Sequence, residues 1–258
     1  MKKKTITHFG NCSDVGQVRS DNQDFLGKFP ENGGDALSPK GQLFVVADGM
    51  GGHKAGREAS ELAVNTIGHA YYSAPTESIP ESLQHAFQAA NDKIHSQSAT
   101  SAKYSGMGTT CTALVLKDDH AYIGHIGDSR VYRISKENIV QLTNDHSNVA
   151  EMQRRGMITK EEAKYHPERS LLYRALGSRA VAEIDIIDDI DLGADEYFLM
   201  CTDGLFNHVE DEEMKTVVLR NDPQKASEVL VELSNDRGGT DNITVQVVHV
   251  KSSDQNNK

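Results

Sequence analysis

Leu43-Phe44-Val45-Val46-Ala47-Asp48-Gly49 is a five-residue apolar run that stops on a carboxylate. It has the length and branched composition of a strand. The stretch between this run and the next one, Cys111 to Leu116, decides the fold, because it carries two stripes of small and apolar residues. One passes through Ala59, Leu62, Ala63, Thr66, Ile67 and Ala70, the other through Leu83, Ala86, Phe87, Ala90 and Ile94. Spacing of three and four places each set on one face of a helix. Further strand-like runs are Ala121 to Ile126, Val131 to Ile134, Glu183 to Ile187, Tyr197 to Cys201 and Ile243 to Val250. A second helix pair falls between the last two. Asp211 to Leu219 is one helix; the other is capped by Asp222, has Pro223 in its first turn, and carries Ala226, Val229, Leu230 and Leu233 on one face. Helices that come in pairs between groups of strands disfavour an alternating βαβ sheet. They predict an α+β fold: a four-layer α-β-β-α sandwich of two mainly antiparallel sheets flanked by helix pairs.

The 258 residues hold 27 Lys and Arg against 38 Asp and Glu, a formal charge of -11. That argues against a nucleic-acid binder, which would carry a basic stripe. Hydrophobic residues at 37% permit a sizeable core. No apolar run approaches the roughly 20 residues that cross a bilayer. The basic start Met1-Lys2-Lys3-Lys4 is not followed by the apolar segment of a secretory signal. Cys12, Cys111 and Cys201 are too few and scattered for a disulfide framework. The expectation is a cytoplasmic monomer with no membrane or nucleic-acid partner, one domain over residues 1–250, and a disordered tail over residues 251–258.

Aspartates fall at the margins of the apolar runs. Asp48 ends the first, Asp203 follows Tyr197-Phe198-Leu199-Met200-Cys201-Thr202, and Asp128 follows Tyr122-Ile123-Gly124-His125-Ile126-Gly127. Asp241 precedes Ile243-Thr244-Val245, and Asp24 stands before Phe25-Leu26 as a fifth. Any one Asp-Gly is also ordinary turn chemistry. Several carboxylates gathered on one rim, however, repel each other unless a cation compensates them. Oxygen-only donors favour Mg2+ or Mn2+, and the His/Cys spacing of a zinc site is missing. Gly49-Met50-Gly51-Gly52-His53-Lys54-Ala55-Gly56 is neither a dinucleotide fingerprint nor a Walker loop. A cysteine phosphatase needs Arg six positions after its Cys; here Val18, Lys117 and Asn207 stand there. A Gly-x-Ser-x-Gly elbow is also missing. Chemistry by metal-bound water remains.

These residues lie in blocks that resemble the bacterial metal-dependent serine/threonine protein phosphatases, the PPM or type 2C family. The blocks are Ser13 to Asp24, Val46 to His53, Met107 to Thr110, Gly127 to Arg130, Leu142 to Ser147, Arg174 to Gly177, Thr202 to Leu205 and Gly239 to Thr244. They occur in the family order over roughly residues 8–250. The resemblance implies two ions, Mg2+ or Mn2+, bridged by Asp48. The Gly49 carbonyl would serve one ion, Asp203 and Asp241 the other, and Asp24 would act directly or through water. Asp128 would help hold a third, weaker ion. Arg19 matches the family's phosphate-binding arginine, whose planar fork suits two phosphate oxygens. Many relatives have Glu where this chain has Gln23, a poorer ligand for a hard ion. His53 is a candidate general acid, although relatives place that histidine elsewhere in the loop; it is otherwise a loop residue.

The resemblance further implies hydrolysis of phosphoserine and phosphothreonine by a metal-bridging hydroxide, with phosphorylated proteins as substrates and a cognate serine/threonine kinase. The alternatives are a phospho-recognition module without catalysis, or a small-molecule phosphomonoesterase. Residues 147–180 carry seven Arg or Lys against four Glu, so +3 in a chain that is otherwise -14. They fall where relatives have a mobile flap, about residues 145–180. Arg154 and Arg155 are the expected contacts for acidic phosphorylated segments; an ordinary solvated helix face is the alternative.

Overall fold

The computed structural model describes residues 4–30 and 39–253. β1 (Lys4–Asp14), β2 (Asp24–Phe29) and β3 (Gln42–Met50) lead to a helix pair, α1 (His53–Ser73) and α2 (Ile79–Thr100). β4 (Gly108–Thr109), β5 (Cys111–Lys117), β6 (His120–Ile126), β7 (Arg130–Ile134) and β8 (Ile139–Gln141) come next, then the short helices α3 (Asn148–Arg154) and α4 (Lys160–Tyr165). β9 (Asp185–Asp191), β10 (Asp195–Cys201), α5 (Asp203–Phe206), α6 (Asp211–Arg220), α7 (Pro223–Asp236) and β11 (Ile243–Ser253) complete the order. One sheet runs β1-β11-β10-β7-β8; the other runs β2-β3-β5-β6-β9, with β4 paired to β3. Every pairing is antiparallel.

Alternation along a strand sends successive side chains to opposite faces. In β3, Leu43, Val45 and Ala47 pack under α1 and α2, whereas Phe44 and Val46 pack against the other sheet. In β10, Leu199 and Cys201 face α6 and α7, and Phe198 and Met200 face inward. Both faces are buried, so these strands read as unbroken apolar runs. Three apolar layers result: one beneath each helix pair and one between the sheets. The expected four-layer sandwich is the observed one.

The differences lie at edges and ends. β1, an edge strand with Thr7, His8, Asn11 and Ser13 among its residues, lacks an apolar run and is not predicted from sequence. β4 and β8 escape for want of length, and β2 because Gly27 and Lys28 interrupt its apolar run. α1 begins at His53, ahead of its apolar stripe, and β9 lies further along the chain than Glu183 to Ile187. β11 continues to Ser253, where it pairs with Lys4. The tail expected from residue 251 is therefore strand through residue 253, because β1 supplies hydrogen-bond partners for it; residues 254–258 lie outside the described residues. Among the described residues no helix is long and apolar enough to cross a membrane.

Candidate active site

The antiparallel order brings five strand ends to one rim. β2 starts there with Asp24 directly opposite Asp48 of β3. Their side chains share the inward face, because Phe44 and Val46 of β3 point the same way. Opposed residues on neighbouring strands hold their Cβ atoms about 5 Å apart, a costly place for two like charges. From the other sheet, β10 ends at Cys201 opposite Val245, which delivers Asp203 into α5 and Asp241 just ahead of β11. β6 ends at Ile126, so Gly127 and Asp128 reach the same rim. Gly127 has φ +108, and a Cβ there would lie 2.5 Å from Cβ of Thr110. Only glycine fits this turn.

The carboxylates are out of balance with their surroundings. Asp24 is 5% exposed. Burial pushes its carboxyl up to about 7, with Asp203 and Asp241 adding to the shift and hydrogen bonds from Thr244 and Thr202 opposing it. Burial, then Asp241, lifts Asp203 to about 6. Asp48 and Asp128 are raised well above the usual carboxylate range, first by burial and then by neighbouring aspartates. Asp24 Oδ1 and Asp203 Oδ1 are buried without a hydrogen-bond partner. Their second oxygens are held: Thr202 Oγ1 donates to Asp24 at 2.8 Å, and Asn207 Nδ2 donates to Asp203 at 3.2 Å.

Arg19 stands at the mouth with its side chain half exposed and donates to Asp241 Oδ2 at 2.7 Å. The Asp241 bond raises the guanidinium pKa further. Among the described residues no three acidic, His or Cys groups yet form a ready cage for an ion. Thr202, Asn207 and Arg19 each hold one carboxylate oxygen, of Asp24, Asp203 and Asp241 in turn. Orphaned buried oxygens, crowded negative charge and an all-oxygen donor set fit a hard divalent ion, and no soft ligand is among them.

The remaining expected residues sit around this rim or away from it. The Gly49 N–H donates to Gln23 O at 3.1 Å, and a Cβ on Gly49 would strike the Gly56 carbonyl at 2.0 Å. Gln23 packs its Oε1 against Gly56, 2.1 Å from where a Cβ there would lie, so its amide abuts the first turn of α1. The acid role expected of His53 falls on a side chain outside the described residues. Arg154 and Arg155 are away from the rim carboxylates in their contacts: both pair with Glu151, at 2.8 and 2.6 Å. Arg154 also donates to Tyr173 Oη and to Asp145 O.

Sequence reasoning missed the groups that hold these residues. Asn242 accepts from the Gln23 N–H and donates to Val15 O and Asp21 O, which ties the Arg19 loop to β11. Thr110 Oγ1 accepts from the Asp48 N–H at 2.9 Å and is bonded to Ser129 Oγ at 2.8 Å. Asn242 adjoins Asp241 and Ser129 adjoins Asp128 in the chain, and that adjacency was the available signal.

A rim of buried, mutually repelling carboxylates with a forked cation beside it has the chemistry that metal-assisted attack on a phosphoryl group requires. Comparison with known proteins narrows this. A family model described as protein phosphatase 2C matches residues 20–234. The protein phosphatase PhpP of Streptococcus pneumoniae is 36% identical over 246 residues, covering 94% of this chain and 97% of that protein. The solved serine/threonine phosphatase of S. agalactiae superposes with TM-score 0.84 at 33% identity, over 94% of this chain and 99% of its own. The catalytic domain of the phosphatase PstP, solved in complex with two manganese ions, gives TM-score 0.81 at 31% identity, over 96% of this chain and all of its own. The chain belongs to the protein phosphatase 2C family.

Proposed function

We propose that this chain removes phosphate from phosphoserine and phosphothreonine in proteins, at the rim built by Asp24, Asp48, Asp128, Asp203 and Asp241. The observation that carries the reading is the inward-facing Asp24–Asp48 pair, opposed across two strands and joined by three further aspartates, of which Asp128 and Asp203 are likewise raised in pKa. Asp48, the Gly49 carbonyl, Asp203, Asp241 and, directly or through water, Asp24 would hold two Mg2+ or Mn2+ ions, and Asp128 a third. Ions held there supply an activated water at neutral pH and neutralise charge on the phosphoryl group.

The chain's own groups do the rest. Arg19 has reach and exposure for the incoming phosphate, and its fork can meet two equatorial oxygens. Burial of the carboxylates in a water-poor rim strengthens each electrostatic contact made to the substrate. A proton for the departing alkoxide comes from solvent or from His53. Arg154 and Arg155, on the basic segment of residues 147–180, would draw acidic phosphorylated segments toward the rim. The reading carries with it a kinase that supplies the phosphorylated protein. A reducing, cytoplasmic compartment accords with three free cysteines.

Asp241→Asn tests the assignment. Mn2+-dependent hydrolysis of p-nitrophenyl phosphate should fall to background while the circular dichroism spectrum stays native. A folded variant with full activity would overturn it.

A further inference from the structure

Asp203 and Asp241 reach the rim from different elements, and they are held against each other differently inside and outside the fold. Inside, the backbone is locked. The Thr202 N–H donates to Thr244 O at 3.1 Å, Ser234 Oγ donates to Gly204 O at 2.6 Å, and a Cβ on Gly204 would lie 2.0 Å from Asn242 O. Outside, Asp241 follows a joint of two glycines. Gly238 has φ +121 and Gly239 has φ +48, backbone that side chains rarely adopt. Beside Gly238 there is open space: the Thr240 methyl, 3.9 Å from where a Cβ would stand, is the nearest atom. Ordering such a joint costs conformational entropy that directional bonds have to offset. Two bonds meet it. The Gln17 N–H donates to Gly239 O at 2.8 Å, and His208 Nε2 is bonded to Thr240 Oγ1 at 2.9 Å, one residue before Asp241. His208 follows Asn207, which donates to Asp203 Oδ2 at 3.2 Å. Two consecutive residues at the end of α5 thus hold the two aspartates, one directly and one through Thr240. Arg237 braces the second. Its Nη1 donates to His208 O at 2.8 Å, and its fork meets Glu213 of α6 at 2.8 and 2.7 Å. Burial, then Arg237, lowers the His208 pKa, and a neutral ring can donate or accept at Nε2.

We propose that His208, braced by Arg237, is a positioning residue that pins the Gly238–Gly239 joint and so holds Asp241 at the spacing from Asp203 that one shared ion needs. The inference rests on the reading of Asp203 and Asp241 as ligands of the same ion. Without the pin, the inner contacts still place the backbone of Asn242 and β11, but the joint ahead of Asp241 moves and the ion has to order it on binding. Part of the binding free energy is then spent on that ordering, and affinity falls while the occupied site keeps its form. Leu at 208 cannot bond the Thr240 hydroxyl; Gln can, through either end of its amide.

The test measures Mn2+ binding to the metal-free chain by isothermal titration, beside amide hydrogen exchange at Gly238 to Asp241 in the same metal-free protein. His208→Leu should weaken Mn2+ binding about tenfold, the size typical of groups that orient ligands. It should also speed exchange across the joint, and His208→Gln should restore both readouts. At saturating Mn2+ the turnover of p-nitrophenyl phosphate by His208→Leu should return to the wild-type value, because the bound ion then fixes the joint. Asp241→Asn, run alongside, should lose high-affinity Mn2+ binding; if it keeps that binding, the ligand reading falls and the pin with it. If Asp241→Asn loses the binding while His208→Leu keeps wild-type affinity and exchange, the pin alone is wrong. Turnover of His208→Leu that stays low at saturating Mn2+, with wild-type affinity, would overturn the positioning role and place His208 in the reaction itself.

Discussion

Asp24 shows in one residue how this rim stores charge. Its carboxyl is pushed up to about 7 in the fold by burial, against an ordinary value of 3.8. The folded protein therefore holds this proton more tightly than the unfolded chain does. Stability is unaffected by the group below pH about 4, falls as pH rises from there toward 7, and is flat above. Metal-free wild type should thus lose more thermal stability between pH 4 and 7 than Asp24→Asn, read as the difference of their Tm curves. Saturating Mn2+ should flatten the wild-type curve. Parallel curves for the two metal-free proteins would show that Asp24 does not titrate in this window. The carboxylates themselves were legible in sequence because each borders an apolar run. Asn242, Thr110 and His208 were not. Their contacts lie up to 227 residues away along the chain, as with Asn242 and Val15, so adjacency to Asp241 could single out Asn242 but not name its partners.

At the scale of elements, the end of β3 meets the first turn of α1 with little room to spare. Gly49 and Gly56 meet backbone to backbone, with the Gln23 amide against Gly56. Gly56→Ala would place a methyl 2.1 Å from Gln23 Oε1 and 2.7 Å from Gly49 O. Urea unfolding should show Gly56→Ala destabilised by about 1–3 kcal/mol, as for overpacked sites. The loss should be partly recovered in Gly56→Ala/Gln23→Ala, and strict additivity of the two changes would contradict the contact. Strands and helices with two buried faces or one clear stripe were readable from the sequence. β1, β2 and β8 were not, because edge and short strands gain their order from a neighbour's hydrogen bonds and need little apolar surface.

Across the whole molecule the charge is uneven, with +3 on residues 147–180 and -14 elsewhere. Substrate steering by such a field weakens with salt. KM for an acidic phosphoprotein should rise between about 50 mM and 300 mM NaCl, while KM for an aryl phosphate should change less. Arg154→Glu/Arg155→Glu should remove most of that difference, although the two arginines share Glu151. An equal salt response for both substrates would place the selectivity elsewhere. The three apolar layers bring a further consequence. In most sheets a strand that slips by one residue exposes its apolar set and is rejected for it. β3 is apolar on both sides, so Phe44 and Val46 could trade places with Leu43 and Val45 at little loss of burial. What forbids the slip is the strand's end: it would drive Asp48 beneath the helices and force Gly49 off its seat on Gly56. The residues proposed for the chemistry would thus also act as the stop that fixes the alignment of the central strands.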